Sequence, residues 1–293
     1  MKRTDLSDAS CAIAQALDVV GDWWTLLVVR DVAGGLHRFD SLQRETGISR
    51  KVLTERLGLL VAHGVLDRRP YSEHPPRHEY HLTAKGRGLL PVLVALQDWG
   101  TRHVLGDGSL TATSAATSPE ARRVQDLVGR RLEVAALTAA DGSPTDPVGG
   151  TPWTVVYCFP GAEAPGGHGY PPGWGDIPGA PGCTLESTTY RDRHADFAAA
   201  GATVHGVSTQ RPDQLAAFAE HAGLPFALLS DTDLALATSL RLPTFRAAGV
   251  DRLKRLTLVV DRAREVRAVL FPVTDPAGSV DDALAVVSSL RPA

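Results

Sequence analysis

The stretch PGCTLESTTYRD, Pro181–Asp192, sets one cysteine behind a proline–glycine turn and ahead of a helical pattern. A thiol at a helix N-terminus meets unpaired backbone N–H groups and the positive end of the helix dipole, and both favour its thiolate. Cys183 therefore has two readings, packing in a first helical turn or a nucleophile. Outward from it, "WTVVYCF" (153–159), "TVHGVS" (203–208), "FALLS" (226–230) and "RLTLVVD" (255–261) are short apolar runs rich in β-branched residues, which predict strands. Helical stretches over 183–200, 211–222 and 233–240 alternate with them. That alternation predicts βα units, an α/β domain and a mainly parallel sheet.

Residues 11–103 follow another grammar. "CAIAQALDVV" (11–20) and "WWTLLVVRDVA" (23–33) are apolar at helical spacing, separated by Gly21-Asp22 and closed by Gly34-Gly35. "RFDSLQRETG" (38–47) is a short helix ending at Gly47, and Ser49 caps a helix running to His63. Two strands follow, Val65–Arg69 and His78–Leu82, around a proline-rich tip. Thr83 then caps a last helix from Ala84 to about His103. This is a winged helix-turn-helix order, so the fold class is two domains, a mainly α winged helix-turn-helix followed by an α/β domain. The expected boundaries are 1–104 and 123–293, with 105–122, small and polar, as a linker.

The chain has 293 residues, enough for two cores, and a formal net charge of −3, so bulk attraction does not bring it to nucleic acid. Residues 1–110 carry 14 basic and 13 acidic side chains. The basic ones crowd the capped helix and the hairpin: Arg50, Lys51 and Arg56 with Ser49 and Thr54, then Arg68, Arg69, Arg77 and His78. A helix fits the major groove, where Arg and Lys read guanine, while wing cations grip phosphate. Double-stranded DNA is the expected partner. The opening "MKRTDLSDAS" has no apolar segment of a signal peptide, and "LLPVLVAL" is far too short to span a bilayer, so a cytoplasmic protein with no membrane association is expected. Three cysteines, Cys11, Cys158 and Cys183, make no disulfide framework. His74, His78, His168, His194, His205 and His221 show no ligand spacing, so no metal and no cofactor are expected.

The run from Cys11 to Leu93, with "GDWWTLL", "RF..L", "S.KVLTERL..L...G" and "PPR.EY.LT.KG", resembles the HxlR-type winged-helix regulators. The resemblance implies a homodimer on a palindromic operator, with the first and last helices at the dimer contact. It also implies two readings of Cys11, a sensor of electrophiles or oxidants or a thiol packed at that contact. From about Arg122 onward, "PGCT", "G.STQ", "LPF.LLSD" and "R.TLVVD" resemble the bacterioferritin-comigratory, or Q-type, peroxiredoxins of the AhpC/TSA superfamily. That implies a thioredoxin-like fold, Cys183 as the thiolate that attacks a peroxide O–O bond, and Arg255 as the cation beside it. Glu186 and Arg191 fall where the family places polar residues. Ala180 stands where the family has a peroxide-binding threonine, with Thr184 as a partial substitute, and Thr188 stands in place of the resolving cysteine. The loop "GAEAPGGHGYPPGWGDIPGA" (161–180) supplies Tyr170 and Trp174 as a pocket wall or lid.

Together these readings predict a DNA-binding transcription regulator that senses an oxidant or another small-molecule effector at Cys183. Two alternatives stand beside it. One is a one-cysteine thiol peroxidase tethered to DNA and served by a thiol reductant. The other is a ligand-responsive regulator whose redox chemistry is lost.

Overall fold

The structure, a computed structural model, describes residues 10–291 apart from 135 and 168. The N-terminal stretch up to Ala9 and His168, weighed above, lie outside the described residues. The chain divides into two compact units at Leu93/Val94.

The first unit contains α1 (Ala12–Val20), α2 (Trp23–Ala33), α3 (Phe39–Thr46), α4 (Arg50–Ala62), β1 (Leu66–Glu73), β2 (Pro76–Leu82), α5 (Ala84–Arg87) and the start of α6 (Leu90–His103). Gly21 ends α1 and donates its N–H to Leu17 O at 2.7 Å; a Cβ there would meet that oxygen at 2.4 Å, so the sharp turn into α2 needs glycine. The Asp22 carboxylate accepts the Trp24 N–H and caps α2. Gly47 closes α3 at φ 68°, and the Ser49 hydroxyl accepts from Val52 N to start α4. Val28, Val29, Leu42, Leu53, Leu57 and Leu60 bury one face of α2, α3 and α4 together, while β1 and β2 pair antiparallel from Leu66↔Leu82 outward. The last expected helix is two: Gly88 ends α5, and α6 begins with Pro91 in its first turn.

The second unit holds α7 (Pro119–Gln125), β3 (Leu137–Ala139), β4 (Pro144–Thr145), β5 (Trp153–Cys158), α8 (Cys183–Asp192), α9 (His194–Ala199), β6 (Ala202–Ser208), α10 (Pro212–Ala222), β7 (Leu228–Ser230), α11 (Ala235–Ser239), β8 (Thr244–Ala247), β9 (Val250–Leu253), β10 (Leu256–Asp261), β11 (Val266–Leu270) and α12 (Gly278–Ser289). Seven strands form one sheet in the order β11-β10-β5-β6-β7-β3-β4, and β8 pairs with β9 in a separate hairpin. The expectation of a mainly parallel sheet is corrected. Only β5–β6 and β6–β7 pair parallel, whereas β10 runs antiparallel to β5 and β11, and β3 antiparallel to β7 and β4. Helical crossovers join the two parallel pairs, short turns join β3 to β4 and β10 to β11, and the antiparallel pairs β5–β10 and β3–β7 bring together strands far apart in the chain.

The sheet is buried on both faces. Val155, Tyr157 and Val259 contribute to one core with Phe197, Phe218 and Val280, whereas Val156, Cys158 and Leu258 contribute to the other with Leu236 and Leu242. Residues 105–122, expected as a linker, are part of this packing. Ala112 and Ala121 are buried, α7 begins at Pro119, and buried Glu120 pairs with buried Lys254 at 2.8 Å. No single helix among the described residues is long and apolar enough to cross a membrane.

Candidate active site and nucleic-acid interface

Cys183 is the first residue of α8. Gly182 caps the helix at φ 105°, in the left-handed region; a Cβ there would also meet Pro276 Cγ at 2.7 Å. The thiol is 2% exposed and donates toward Ala180 O at 3.5 Å, while the Gly161 N–H donates to the sulfur. Arg255, immediately before β10, is itself buried and divides its guanidinium between two acidic groups. Its Nη2 donates to Cys183 Sγ at 3.3 Å and to Pro181 O at 3.0 Å, and its Nη1 donates to Glu186 Oε2. Glu186 lies one helical turn after Cys183, so a single face of α8 presents thiol and carboxylate to the same cation.

Burial opposes ionisation of both acids. It pushes the Cys183 thiol above its ordinary value, against the pull of Arg255 and with an added push from the Glu186 carboxylate. It pushes the Glu186 carboxyl up to about 7, again against Arg255. Below the pair, Tyr157 and Tyr190 stack at 4.4 Å between ring centres; Tyr157 donates to Ser187 Oγ at 3.0 Å and Tyr190 OH lies 3.3 Å from Thr257 Oγ1. These buried rings hold α8 against β5 and β10. The chemistry open to this arrangement is nucleophilic attack by a thiolate with a fixed cation at the developing charge.

Thr184 is exposed, and its carbonyl accepts from the Thr188 hydroxyl at 2.9 Å. Ala180 offers only its carbonyl to Cys183 and Arg255. Arg191 turns away and donates to Ala222 O. Cys158 is buried in the core on the opposite face of the sheet from Cys183, and burial pushes its thiol well up. A disulfide needs Cβ atoms within about 4 Å, which this arrangement denies the two within one unit. Tyr170 and Trp174 stack at 5.5 Å, but Trp174 is 5% exposed and fills its site against Phe245, Ala112 and Ala180. The pair is a packed plug; Tyr170, 44% exposed, is its outer surface. Sequence reasoning missed Arg252, whose guanidinium lies 4.8 Å over the Trp174 ring and donates to Pro160 O, and Gln210, which exchanges two hydrogen bonds with Ala162. The spacing Arg252, Lys254, Arg255 around a strand start was the available signal.

In the first unit, α4 presents Ser49, Arg50, Lys51 and Thr54 on its exposed side. Arg50 is exposed, lies over the Phe39 ring and reaches Asp40 at 3.1 Å; the Thr54 hydroxyl donates to Arg50 O. Arg56 is held otherwise: its side chain is 20% exposed and pairs with Asp22 at 3.1 Å, tying α4 to the cap of α2. On the hairpin, Arg68, Arg69 and Arg77 are exposed; Arg68 Nη2 lies 3.0 Å from His78 Nε2, and Arg69 pairs with Asp67 at 2.9 Å. Cys11 is exposed and precedes α1 as its N-cap residue. Among the described residues, no group of three or more His, Cys, Asp or Glu side chains is placed to hold a metal.

A capped three-helix core with a β-wing, followed by an α/β unit with a cysteine–arginine pair at a helix start, defines a helix-turn-helix protein carrying a peroxiredoxin-like domain. Residues 19–106 match the HxlR-like helix-turn-helix family, and residues 177–269 match the AhpC/TSA family. An uncharacterized HTH-type transcriptional regulator of Mycobacterium tuberculosis is 45% identical over 93 residues, 32% of this chain and 59% of that protein. Another, from Synechocystis, is 41% identical over 92 residues, 31% of this chain and 68% of that protein. The crystal structure of the peroxidoxin BcpB from Mycobacterium tuberculosis is similar at 26% identity and a TM-score of 0.47, over 56% of this chain and 97% of that one. The chain belongs to the HxlR-like helix-turn-helix family. It spans 59% of the length of the mycobacterial relative.

Proposed function

We propose that this chain is a DNA-binding transcription regulator whose peroxiredoxin-like domain senses an oxidant through Cys183. One observation carries the reading: a buried thiol at a helix start lies 3.3 Å from a buried guanidinium. The Cys183 thiolate attacks the nearer oxygen of a hydroperoxide, the O–O bond breaks, an S–O bond forms, and the leaving oxygen takes a proton. The thiol becomes sulfenic acid and the peroxide becomes an alcohol or water. Arg255 meets the negative charge on sulfur and on the leaving oxygen.

Three features favour a sensor over a high-turnover enzyme. Burial holds the thiol above its ordinary range, so little thiolate is present at neutral pH. Thr188 cannot resolve a sulfenic acid, and Cys158 belongs to the opposite core. The site is also closed, so an added oxygen must displace Arg255 or unwind the first turn of α8. That local two-state element is the switch, and its output is the separation of two recognition helices, one from each protomer of a homodimer on a palindromic operator. Ser49, Arg50, Lys51 and Thr54 are the groove-facing group, with Arg68, Arg69, Arg77 and His78 on backbone phosphates.

Intact mass after one equivalent of hydrogen peroxide with dimedone present tests the chemistry. A single adduct is expected on the wild type and none on Cys183→Ser. Multiple turnovers of peroxide with added thiol or thioredoxin would make the protein a peroxidase instead.

A further inference from the structure

The second unit contains a cavity of about 450 Å³ whose lining includes neither Cys183 nor Arg255. Its walls come from the C-terminal half of α6, the segment after it, and Phe245 with Lys254. Leu105, Leu110 and Phe245 make one side apolar. The charges around it are mostly committed. Lys254 and Glu120 pair at 2.8 Å, Arg102 donates its Nε to Gly108 O at 2.6 Å, and the Asp107 carboxylate accepts from the Ser109 N–H and hydroxyl.

Asp98 differs. It is partly buried, accepts a backbone N–H from Arg246, and makes no ion pair among the described residues. Arg102 and Lys254 act on it through space without reaching pairing distance, and burial pushes its carboxyl above the usual range. A partly desolvated carboxylate at the wall of a cavity with one apolar side is stabilised by a cation that also brings apolar surface.

We propose that this cavity binds a small amphipathic monocation, an aryl- or alkylamine, with its ammonium on Asp98 and its body against Leu105, Leu110 and Phe245. The assignment is independent of the redox reading and would stand in a chain whose thiol were inert.

Calorimetric titration of the full-length reduced protein with phenethylamine, phenethyl alcohol and hydrocinnamate tests it, since the three share a body and differ in charge. The amine is expected to bind at least about tenfold more tightly than the other two. Asp98→Asn should erase that preference, and Leu105→Trp, which fills the cavity and leaves the carboxylate in place, should abolish binding. Equal binding of the three, a preference that survives in Asp98→Asn, or no binding of the amine below about 10 mM would overturn the proposal. If Asp98→Asn fails to fold, the three-ligand comparison and Leu105→Trp decide alone.

Discussion

Cys183, Arg255 and Glu186 form a three-body problem: two buried acids compete for one buried cation. The sign of the competition is testable. Only thiolate reacts, and burial pushes the thiol above its ordinary value, so the rate of adduct formation should climb with pH and level off at higher pH than it does for a free thiol. Above pH 7 Glu186 is largely ionised and pushes the thiol further up. Glu186→Gln removes that charge while keeping a hydrogen-bond acceptor for Arg255, so the thiol should titrate at lower pH than in the wild type. Ultraviolet absorbance of the thiolate measures it, and an unchanged or raised midpoint would mean that Glu186 serves mainly to hold Arg255 in place.

Between residue and domain, short elements are fixed by single groups. Asp231 follows β7, and its two oxygens accept the N–H groups of Leu236 and Ala237 at 2.9 and 2.8 Å, closing the start of α11. Burial raises this carboxyl to about 7, far above the roughly 3.9 of an unfolded chain. The folded state therefore holds the proton more tightly. The stability this gives is complete below about pH 4, is lost as pH rises toward 7, and changes no further above it. Asp231→Asn should flatten that part of the profile, as denaturant unfolding at about pH 5 and about pH 8 would record.

Legibility in the sequence followed element length. β5, β6 and β10 are six- or seven-residue runs of apolar and β-branched residues, and they read as strands directly. The two- to four-residue β3, β4, β8 and β9 carry too few residues to show a period, so the hairpin that bears Arg252 went unseen. The turn and helix start around Cys183 left packing and chemistry open, and the resemblance to peroxiredoxins pointed to Arg255; the structure places the two 3.3 Å apart. The Glu120–Lys254 pair was not, since 134 residues separate partners that only the tertiary fold brings together.

Across the whole molecule, the proposed function has a nearly neutral N-terminal segment, 14 basic against 13 acidic side chains over residues 1–110, holding DNA through arrangement rather than bulk charge. Lys51 is exposed on α4 and pairs with no carboxylate among the described residues, whereas Arg56 is held by Asp22. Lys51→Ala should weaken operator binding and reduce the slope of log affinity against log salt by about 1. Arg56→Ala should lower the melting temperature of the first unit and leave that slope unchanged. In the proposed function, oxygen added at Cys183 is felt at the operator. The most direct test is operator affinity, by fluorescence anisotropy, of wild type and Cys183→Ser before and after one equivalent of peroxide. Equal affinities are expected when both proteins are reduced, with a change on oxidation in the wild type alone. A Cys183→Ser protein that responds as fully as the wild type would contradict it.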